Sequence, residues 1–547
     1  MLLVRDRFYC YNYITGRLST HYLVRANSRV KVLLIYPLFP QTFWSYDTLL
    51  EMVGLKALFP PLGLITVAAI LPQTWEFKLC DRNVRGVTEA EWEWADLVVL
   101  SAMIVQKEDL IAQIREAKKR EKLVAVGGPY PTSIPDDARS AGADFLILDE
   151  GEITLPLFVE AINKGERQGV FRGTEKPDVS TTPIPRYDLL EFDAYDSMSV
   201  QFSRGCPFQC EFCDIITLYG RKPRTKTPEQ LLKELDYLYE LGWRRGVFMV
   251  DDNFIGNKRN VKLLLKELKV WQQDHQYPFR FNTEASVDLA RDSELMNLMV
   301  ECYFDAVFLG IETPDEESLA LTKKFQNTRD SLLESVQIIN QHGLRPMAGF
   351  IIGFDGEKKG AAERIIRFVE SAAVPTAMFG MLQALPTTAL WDRLEKEGRL
   401  IYDGKQDANQ RTLMNFIPTR PIEEIATEYV EAFWELYDPE VFLDRTYRCF
   451  LELGAPKAKP AASFPAWSDL RALATIIWRQ GLKRKTRWKF WHHLFSILQE
   501  NPAVWEHYLT VCAHIEHFMV YRKIVRDDIN QQLVEFQRKQ SQLPIAS

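Results

Sequence analysis

Cys206, Cys210 and Cys213 stand in the run Arg204-Gly205-Cys206-Pro207-Phe208-Gln209-Cys210-Glu211-Phe212-Cys213, and this C-x3-C-x2-C spacing constrains the chain more than any other feature. It reads as a loop offering three thiolates to one iron-sulfur cluster. Such clusters are usually held by four cysteines, so one iron is left open, and a metal position that the protein does not fill marks a catalytic rather than a structural site. A zinc clip, a disulfide and three unrelated cysteines are the competing readings. Structural zinc generally takes paired C-x2-C spacings and a fourth Cys or His, whereas the nearest downstream histidine is His275. Cys10, Cys80, Cys302, Cys449 and Cys512 are scattered singly, unlike the frameworks of secreted domains.

A chain of 547 residues exceeds the size at which a single core stops growing, so several domains are expected. Its 46% hydrophobic and 26% charged content is that of a folded soluble protein. A net charge of -7 disfavours general nucleic-acid binding, which needs clustered Lys and Arg. No apolar run reaches the roughly 18 residues of a membrane span, and the first residues, with Arg5, Asp6 and Arg7, do not read as a signal peptide. A cytoplasmic setting is expected, and it also suits an oxygen-sensitive cluster.

Residues 1–28 are polar and aromatic without periodicity and read as an N-terminal arm. Strand-like runs then alternate with helical segments over 29–165: Val30 to Tyr36, Phe77 to Leu79, Leu97 to Ser101, Leu123 to Val126 and Phe145 to Leu148, with Lys107 to Lys119 as one of the helices. This alternation implies βαβ units on a parallel sheet, whose ligands sit beyond the strand carboxyl ends. A Gly-, Thr- and Pro-rich stretch over 166–195 reads as a linker. A second series, 196–418, begins at the cysteine loop, with strands expected at Ser199 to Phe202, Gly246 to Val250, Phe279 to Thr283, Ala306 to Gly310, Arg345 to Ile352 and Ala377 to Leu382. Strand and helix repeated in this way suggest an α/β partial TIM-like barrel with its site at the strand carboxyl ends. Residues 419–547 are helical in character.

Those strand ends carry suitable groups: Asp251-Asp252-Asn253, Glu284, Gly310 with Glu312, and Gly349 to Phe354. Carboxylates there accept hydrogen bonds from an ammonium or a ribose, and glycines admit a ligand close to the backbone; helix capping is the competing role. Residues about 196–400 resemble the radical S-adenosylmethionine (SAM) domain. The resemblance implies a 4Fe-4S cluster on Cys206, Cys210 and Cys213 whose open iron chelates SAM. It puts Phe212 against the adenine, Asp251, Asp252 and Asn253 at the methionine amine in place of the family's GGE motif, Glu284 at the ribose, and Gly310 and Glu312 along the adenosyl pocket.

The Rossmann-like domain ahead of such a barrel resembles the cobalamin-binding domain of B12-dependent radical SAM proteins. By that resemblance Ser101 lies under the corrin and Gly127 and Gly128 border it. The family's D-x-H-x-x-G signature reads Asp81-Arg82-Asn83-Val84-Arg85-Gly86 here, so no histidine ligand to cobalt is expected. A flavodoxin-like domain without a cofactor is the competing reading; no G-x-G-x-x-G follows its strands, which disfavours a dinucleotide.

Leu470 to Lys489 holds Arg471, Arg479, Lys483, Arg484, Lys485, Arg487 and Lys489 with no acid, interleaved with Trp478 and Trp488. It reads either as a helix lying on an anionic membrane or as a solvated basic face. His492, His493, His507, His514 and His517 read as surface or core histidines. Phe59 to Gly63, Gly127 to Thr132, Asp251 to Asn257 and Lys324 to Thr328 carry a likeness to the B12-binding radical SAM proteins with an added C-terminal helical domain, the group that includes the hopanoid C-2 methylase. That likeness implies methylation of an unactivated carbon on a small-molecule or lipid, hopanoid-like substrate, with SAM, the cluster and cobalamin as cofactors. It also implies an electron donor such as ferredoxin or flavodoxin and peripheral contact at the inner membrane face. Oxidative ring closure of the tetrapyrrole type, and a non-catalytic cobalamin or redox sensor, remain open alternatives.

Overall fold

Val32, Leu33, Leu34 and Ile35 are all fully buried, so both faces of this strand are covered, as in a parallel sheet sandwiched by helices. In the computed structural model, which describes residues 29–401, 409–458 and 467–542, this strand is β1 (Lys31–Tyr36). The expected arm, 1–28, lies outside the described residues. The first sheet adds β2 (Glu76–Asp81), β3 (Leu97–Ser101), β4 (Leu123–Gly127), β5 (Phe145–Ile147) and β6 (Gly169–Phe171) in the order β2-β1-β3-β4-β5-β6, all parallel. The winding reverses between β1 and β3. That switch point opens a crevice at the carboxyl ends of the strands.

β6 falls inside the stretch expected to be linker. Its three residues are only partly covered and Val170 is 51% exposed, so the strand carries none of the apolar pattern by which buried strands are read. Beyond it the chain runs through short single-turn helices to β7 (Ser197–Val200).

The second sheet consists of β7, β10 (Gly246–Met249), β11 (Arg280–Ala285), β12 (Phe304–Glu312), β13 (Arg345–Ile352) and β14 (Thr376–Met381). Its order, β14-β13-β12-β11-β10-β7, is that of an open six-stranded parallel barrel. Helices return the chain outside it. Pro228–Glu240 is capped by Thr227, whose side chain accepts from the Gln230 amide, and Ala361–Ser371 buries Ala361, Ala362, Ile365 and Val369 along one stripe. Between β7 and β10 a two-residue antiparallel pair, β8 (Ser203–Arg204) and β9 (Arg224–Thr225), closes the base of the cysteine loop. It is too short to show a period in the sequence.

After β14 the chain is helical: Ile422–Leu436, Pro439–Glu452, Trp467–Ile476, a π-helical segment Ile477–Lys483, Arg487–Glu500, Trp505–Ala513 and Ile515–Gln542. The loop after β1 ties these helices to the first sheet. Phe43, fully buried, stacks on Phe518 at 4.7 Å and meets Phe433 and Tyr437 edge-on, while its carbonyl lies 3.2 Å from His517 Nε2. Trp44 packs edge-on against Phe308 of β12 and donates to Met378 Sδ of β14 at 3.2 Å.

Phe43→Ala leaves a cavity at the junction of all three parts, a change that generally costs about 3–5 kcal/mol. The thermal midpoint is expected to fall by several degrees with the far-UV circular dichroism at low temperature unchanged; an unshifted midpoint would show that the three parts do not depend on this contact.

Candidate functional site

The cysteine loop is fixed at its base before any ligand is considered. Asp251, fully buried just past β10, accepts from the amides of Phe202 and Ser203 at 2.8 and 2.7 Å and from Ser203 Oγ at 2.6 Å. Asp252 accepts from the Gly205 amide at 2.7 Å. Gly205 has φ +94, and a Cβ there would stand 2.8 Å from the Gly220 carbonyl, so only glycine lets the chain turn into the loop. The Cys206 amide donates to that same carbonyl at 3.2 Å.

Cys210 is buried and Cys206 and Cys213 are partly covered. Burial pushes the thiols of Cys206 and Cys213 up, and a thiol kept neutral by desolvation gives up its proton to a metal that brings positive charge in its place. Two amides reach the sulfurs: Gln326 Nε2 lies 3.6 Å from Cys210 Sγ and Asn253 Nδ2 4.0 Å from Cys206 Sγ. Hydrogen bonds of this kind tune the potential of a cluster. Among the described residues no three or more His, Cys, Asp or Glu side chains converge on a single ion.

Along the neighbouring strand ends, Glu312, at φ +63, pairs with buried Lys324, whose Nζ lies 5.8 Å above the Phe212 ring. A Cβ on Gly310 would stand 2.6 Å from Glu312 Oε1. Asn327 Nδ2 donates to the carbonyls of Gly310 and Ile311 at 2.9 Å, so the Lys324 to Asn327 segment wraps both the cysteine loop and the end of β12. Asn253 Oδ1 accepts from the Ser286 amide at 3.2 Å. Glu284 faces the barrel mouth, where burial first, and then the charges of Asp252 and Asp251, raise its carboxyl to about 7. Asp252 is raised to about 6, burial again leading. Carboxylates crowded in this way favour a cationic ligand.

At the carboxyl edge of the first sheet Ser101, Gly127 and Gly128 meet. Gly128 has φ +96 and its Cβ would stand 2.4 Å from Ser101 Oγ; a Cβ on Gly127 would stand 2.6 Å from the Ile147 carbonyl. Close packing of the strand ends thus demands glycine at both positions, and Ser101, Gly127 and Gly128 all line one large cavity. Asn83, at the position of the family histidine, lines the same cavity with its amide engaged: its Nδ2 donates to Asp81 Oδ1 at 2.7 Å and its Oδ1 accepts from the Phe39 amide at 2.9 Å.

This single cavity, of about 1220 Å³, joins the carboxyl edge of the first sheet to the barrel. Cys206, Cys210, Cys213, Phe212, Asn253, Gly310 and Glu312 are not among its lining residues, whereas Arg204 and Asp214, which flank the cysteine run, are. Ser101, Gly127 and Gly128 bound one side, Asp252 and Glu284 the barrel mouth, and Phe248, Asn282, Phe308 and Met347 the barrel lumen. Asp251 lies below this surface with both carboxylate oxygens occupied. In this structure it positions the base of the cysteine loop.

Sequence reasoning also missed a buried charge network. Arg204 binds Glu150 at 3.0 Å and Glu152 at 2.9 Å, and Arg224 binds Glu150 at 2.8 Å, all four side chains being no more than 14% exposed. Glu150 and Glu152 open the helix Gly151–Asn163 beyond β5, so the network bolts the cysteine loop to the first sheet. The available signal was Arg204, next to the cysteine run, and two carboxylates at a strand end.

Models of known families match the chain in three places: a B12 binding domain over residues 52–159, the radical SAM superfamily over 200–369, and a domain of unknown function, DUF4070, over 388–531. The chain is 73% identical over 94% of its length to an uncharacterized methyltransferase of Synechocystis sp., covering 96% of that protein. It is 33% identical over 90% of its length to the hopanoid C-2 methylase of Rhodopseudomonas palustris, covering 94%. The fold matches that of the radical SAM methyltransferase TsrM from Kitasatospora setae, solved with cobalamin and a 4Fe-4S cluster, at a TM-score of 0.58 and 15% identity, over 90% of this chain and 100% of that one. It matches the cobalamin-dependent radical SAM enzyme OxsB, solved with aqua-cobalamin, at 0.56 and 16% identity, over 93% and 81%. With a B12 binding domain matched on the first sheet, a three-thiol loop on the second, and relatives matched along almost the whole length, the chain belongs to the cobalamin-dependent radical SAM methyltransferases.

Proposed function

We propose that the protein methylates an unactivated carbon of a largely apolar, polycyclic-lipid type of substrate. The observation that carries this reading is the one cavity shared by the Ser101, Gly127 and Gly128 edge, the Asp252 and Glu284 mouth and an aromatic lumen. When bound, the cluster, SAM and cobalamin supply reductive SAM cleavage, hydrogen abstraction and a transferable methyl group. The chain's own residues bind and orient. Cys206, Cys210 and Cys213 are the proposed cluster ligands. Asp252 and Glu284 offer negative charge to cationic SAM, with Asn253, Phe212, Gly310 and Glu312 around it, and Ser101, Gly127 and Gly128 give cobalamin room. Trp44, Phe248, Phe308 and Met347 exclude water from the reacting carbon. The name of the hopanoid C-2 methylase relative supports a polycyclic lipid. A reduced ferredoxin or flavodoxin is the proposed electron donor.

A lipid surface is the proposed source of substrate. No helix among the described residues is long and apolar enough to cross a membrane, but Trp478 and Trp488 are 61% and 74% exposed, with Leu482 and Phe495 also exposed. Arg479 and Arg484 share Glu516, and Lys489 pairs with Glu440 and Asp444. Arg471, Lys483, Lys485 and Arg487 are left to face anionic headgroups. On the neighbouring helix Trp467–Ile476, Ala472 and Ile476 line the large cavity, so this surface adjoins the entrance.

The function is tested anaerobically with reconstituted enzyme, reductant, methyl-labelled SAM and a membrane lipid extract. Label in a lipid product together with 5'-deoxyadenosine is expected, and Cys210→Ala is expected to lose both. 5'-Deoxyadenosine with an unlabelled product would point to ring closure instead, and neither product under any reductant would point to a sensor. Gly128→Val is expected to abolish the corrin absorption of the purified protein while sparing that of the cluster. Gly86→Ala, where a Cβ meets nothing within 4 Å, serves as its control; equal corrin content in both variants would remove cobalamin from this edge. For the surface, Trp478→Ala combined with Trp488→Ala is expected to lower sedimentation with phosphatidylglycerol vesicles by about tenfold, and unchanged sedimentation would reject the lipid contact.

A further inference from the structure

The barrel lumen is not filled at its base, as it would be in a closed barrel packed with layers of side chains. The large cavity continues down to the amino ends of β11, β12 and β13, where Arg280, Asp305 and Arg345 line it together with His507 and His514 from the C-terminal helices. Arg280 is accounted for. Its Nε lies 3.4 Å from Asp305 Oδ2 and its Nη1 donates to His507 Nε2 at 3.2 Å. Arg345 has no such carboxylate among the described residues, and its buried Nη1 finds no acceptor. The Nδ1 of His514 is likewise buried without a partner. Its ring packs 4.7 Å from that of Tyr46, and burial first, then the charge of Arg345, hold it neutral with a pKa lowered to about 3. A guanidinium is never deprotonated in a protein, and a buried charge is ordinarily paired. The base of the lumen is therefore lined by an arginine with no carboxylate in contact and by a neutral imidazole, under apolar walls. The Arg280 and Asp305 pair and Asp196 lie beside them, and one nitrogen of Arg345 and one of His514 are enclosed by protein.

We infer that Arg345, with His514, anchors an anionic oxygen group, carboxylate or phosphate, at one end of an otherwise apolar substrate whose body fills the lumen. The inference rests on the proposed reading of the cavity as the substrate site, and it adds that the substrate is an amphiphile with a charged end. Seven strand rises of about 3.3 Å separate Arg345 from Ile352, so the anchor lies roughly 23 Å below the cysteine end of the barrel. SAM held at the cysteine loop cannot reach it with its own carboxylate. A long or polycyclic molecule spans that length, with its far end presented at the mouth.

Isothermal titration calorimetry on the cobalamin- and cluster-loaded protein, with dodecanoate, dodecyl phosphate and dodecanol below their micellar concentrations, separates charge from apolar body. The two anions are expected to bind at least tenfold more tightly than the alcohol, and whichever of them binds more tightly identifies the end group. In Arg345→Gln the preference for anions is expected to vanish, and in Arg345→Lys to persist in part. Removing an unpaired buried charge is also expected to leave the thermal midpoint of the ligand-free protein unchanged or higher, whereas a purely structural arginine would lower it. Equal affinity for all three probes, an anion preference that survives in Arg345→Gln, or a lowered midpoint would each overturn the inference. The assay needs no turnover, so it fails or succeeds independently of methyl transfer.

Discussion

Two arginines from the barrel and two glutamates from the first sheet, Arg204 and Arg224 with Glu150 and Glu152, form the interaction on which the rest of the site depends. Their contribution is positional. An isolated buried ion pair contributes little net stability, but removing one partner strands the other and costs about 3–5 kcal/mol. Arg204 lies one residue before Gly205, where the chain turns into the cysteine loop, and Glu150 follows directly on the first sheet's crevice. The network thus sets the height of the cluster loop over the edge at Gly127 and Gly128. Asp251 and Asp252 do the same from within the barrel by holding the amides of Phe202, Ser203 and Gly205.

The loop after β1 works from the opposite side. Phe43 is driven into the aromatic cluster of the C-terminal helices, and Trp44 is thereby laid against β12 and β14. One apolar anchor and one ionic bolt fix three parts of the chain around a common void. The lining of that void differs from strand to strand: β11 turns Arg280, Asn282 and Glu284 inward and Phe281 outward, whereas β10, β12 and β13 turn Phe248, Phe308 and Met347 inward. A lumen so lined holds a ligand instead of collapsing into a core.

Much of this was legible in the sequence. Buried parallel strands show as apolar runs, so the strands of both sheets except β6 stood out, and the cysteine spacing marked the loop that follows β7. Three kinds of feature were not legible. β6, β8 and β9 are too short or too exposed to carry a pattern. The direction of a strand-end carboxylate depends on tertiary position: Asp251, Asp252 and Glu284 look alike in sequence, yet the first is consumed by backbone amides and the other two face the cavity. Long-range charge pairing is also invisible: Arg204 is saturated by distant glutamates, whereas Arg345 is left without a carboxylate in contact. The basic stretch after Leu470 divides in the same way, some of its cations being paired with acids elsewhere and its tryptophans left outside.

The central claim is that a cluster on the cysteine loop and cobalamin at the edge of the first sheet are held in register by the Arg204 to Glu150 network. Electron paramagnetic resonance of the reduced protein carrying both a reduced cluster and cob(II)alamin tests this most directly. The account predicts a resolved magnetic interaction between the two centres in the wild-type protein, weakened and broadened in Glu150→Gln. Two superimposed, non-interacting spectra in the wild type, or an interaction indifferent to Glu150→Gln, would contradict it.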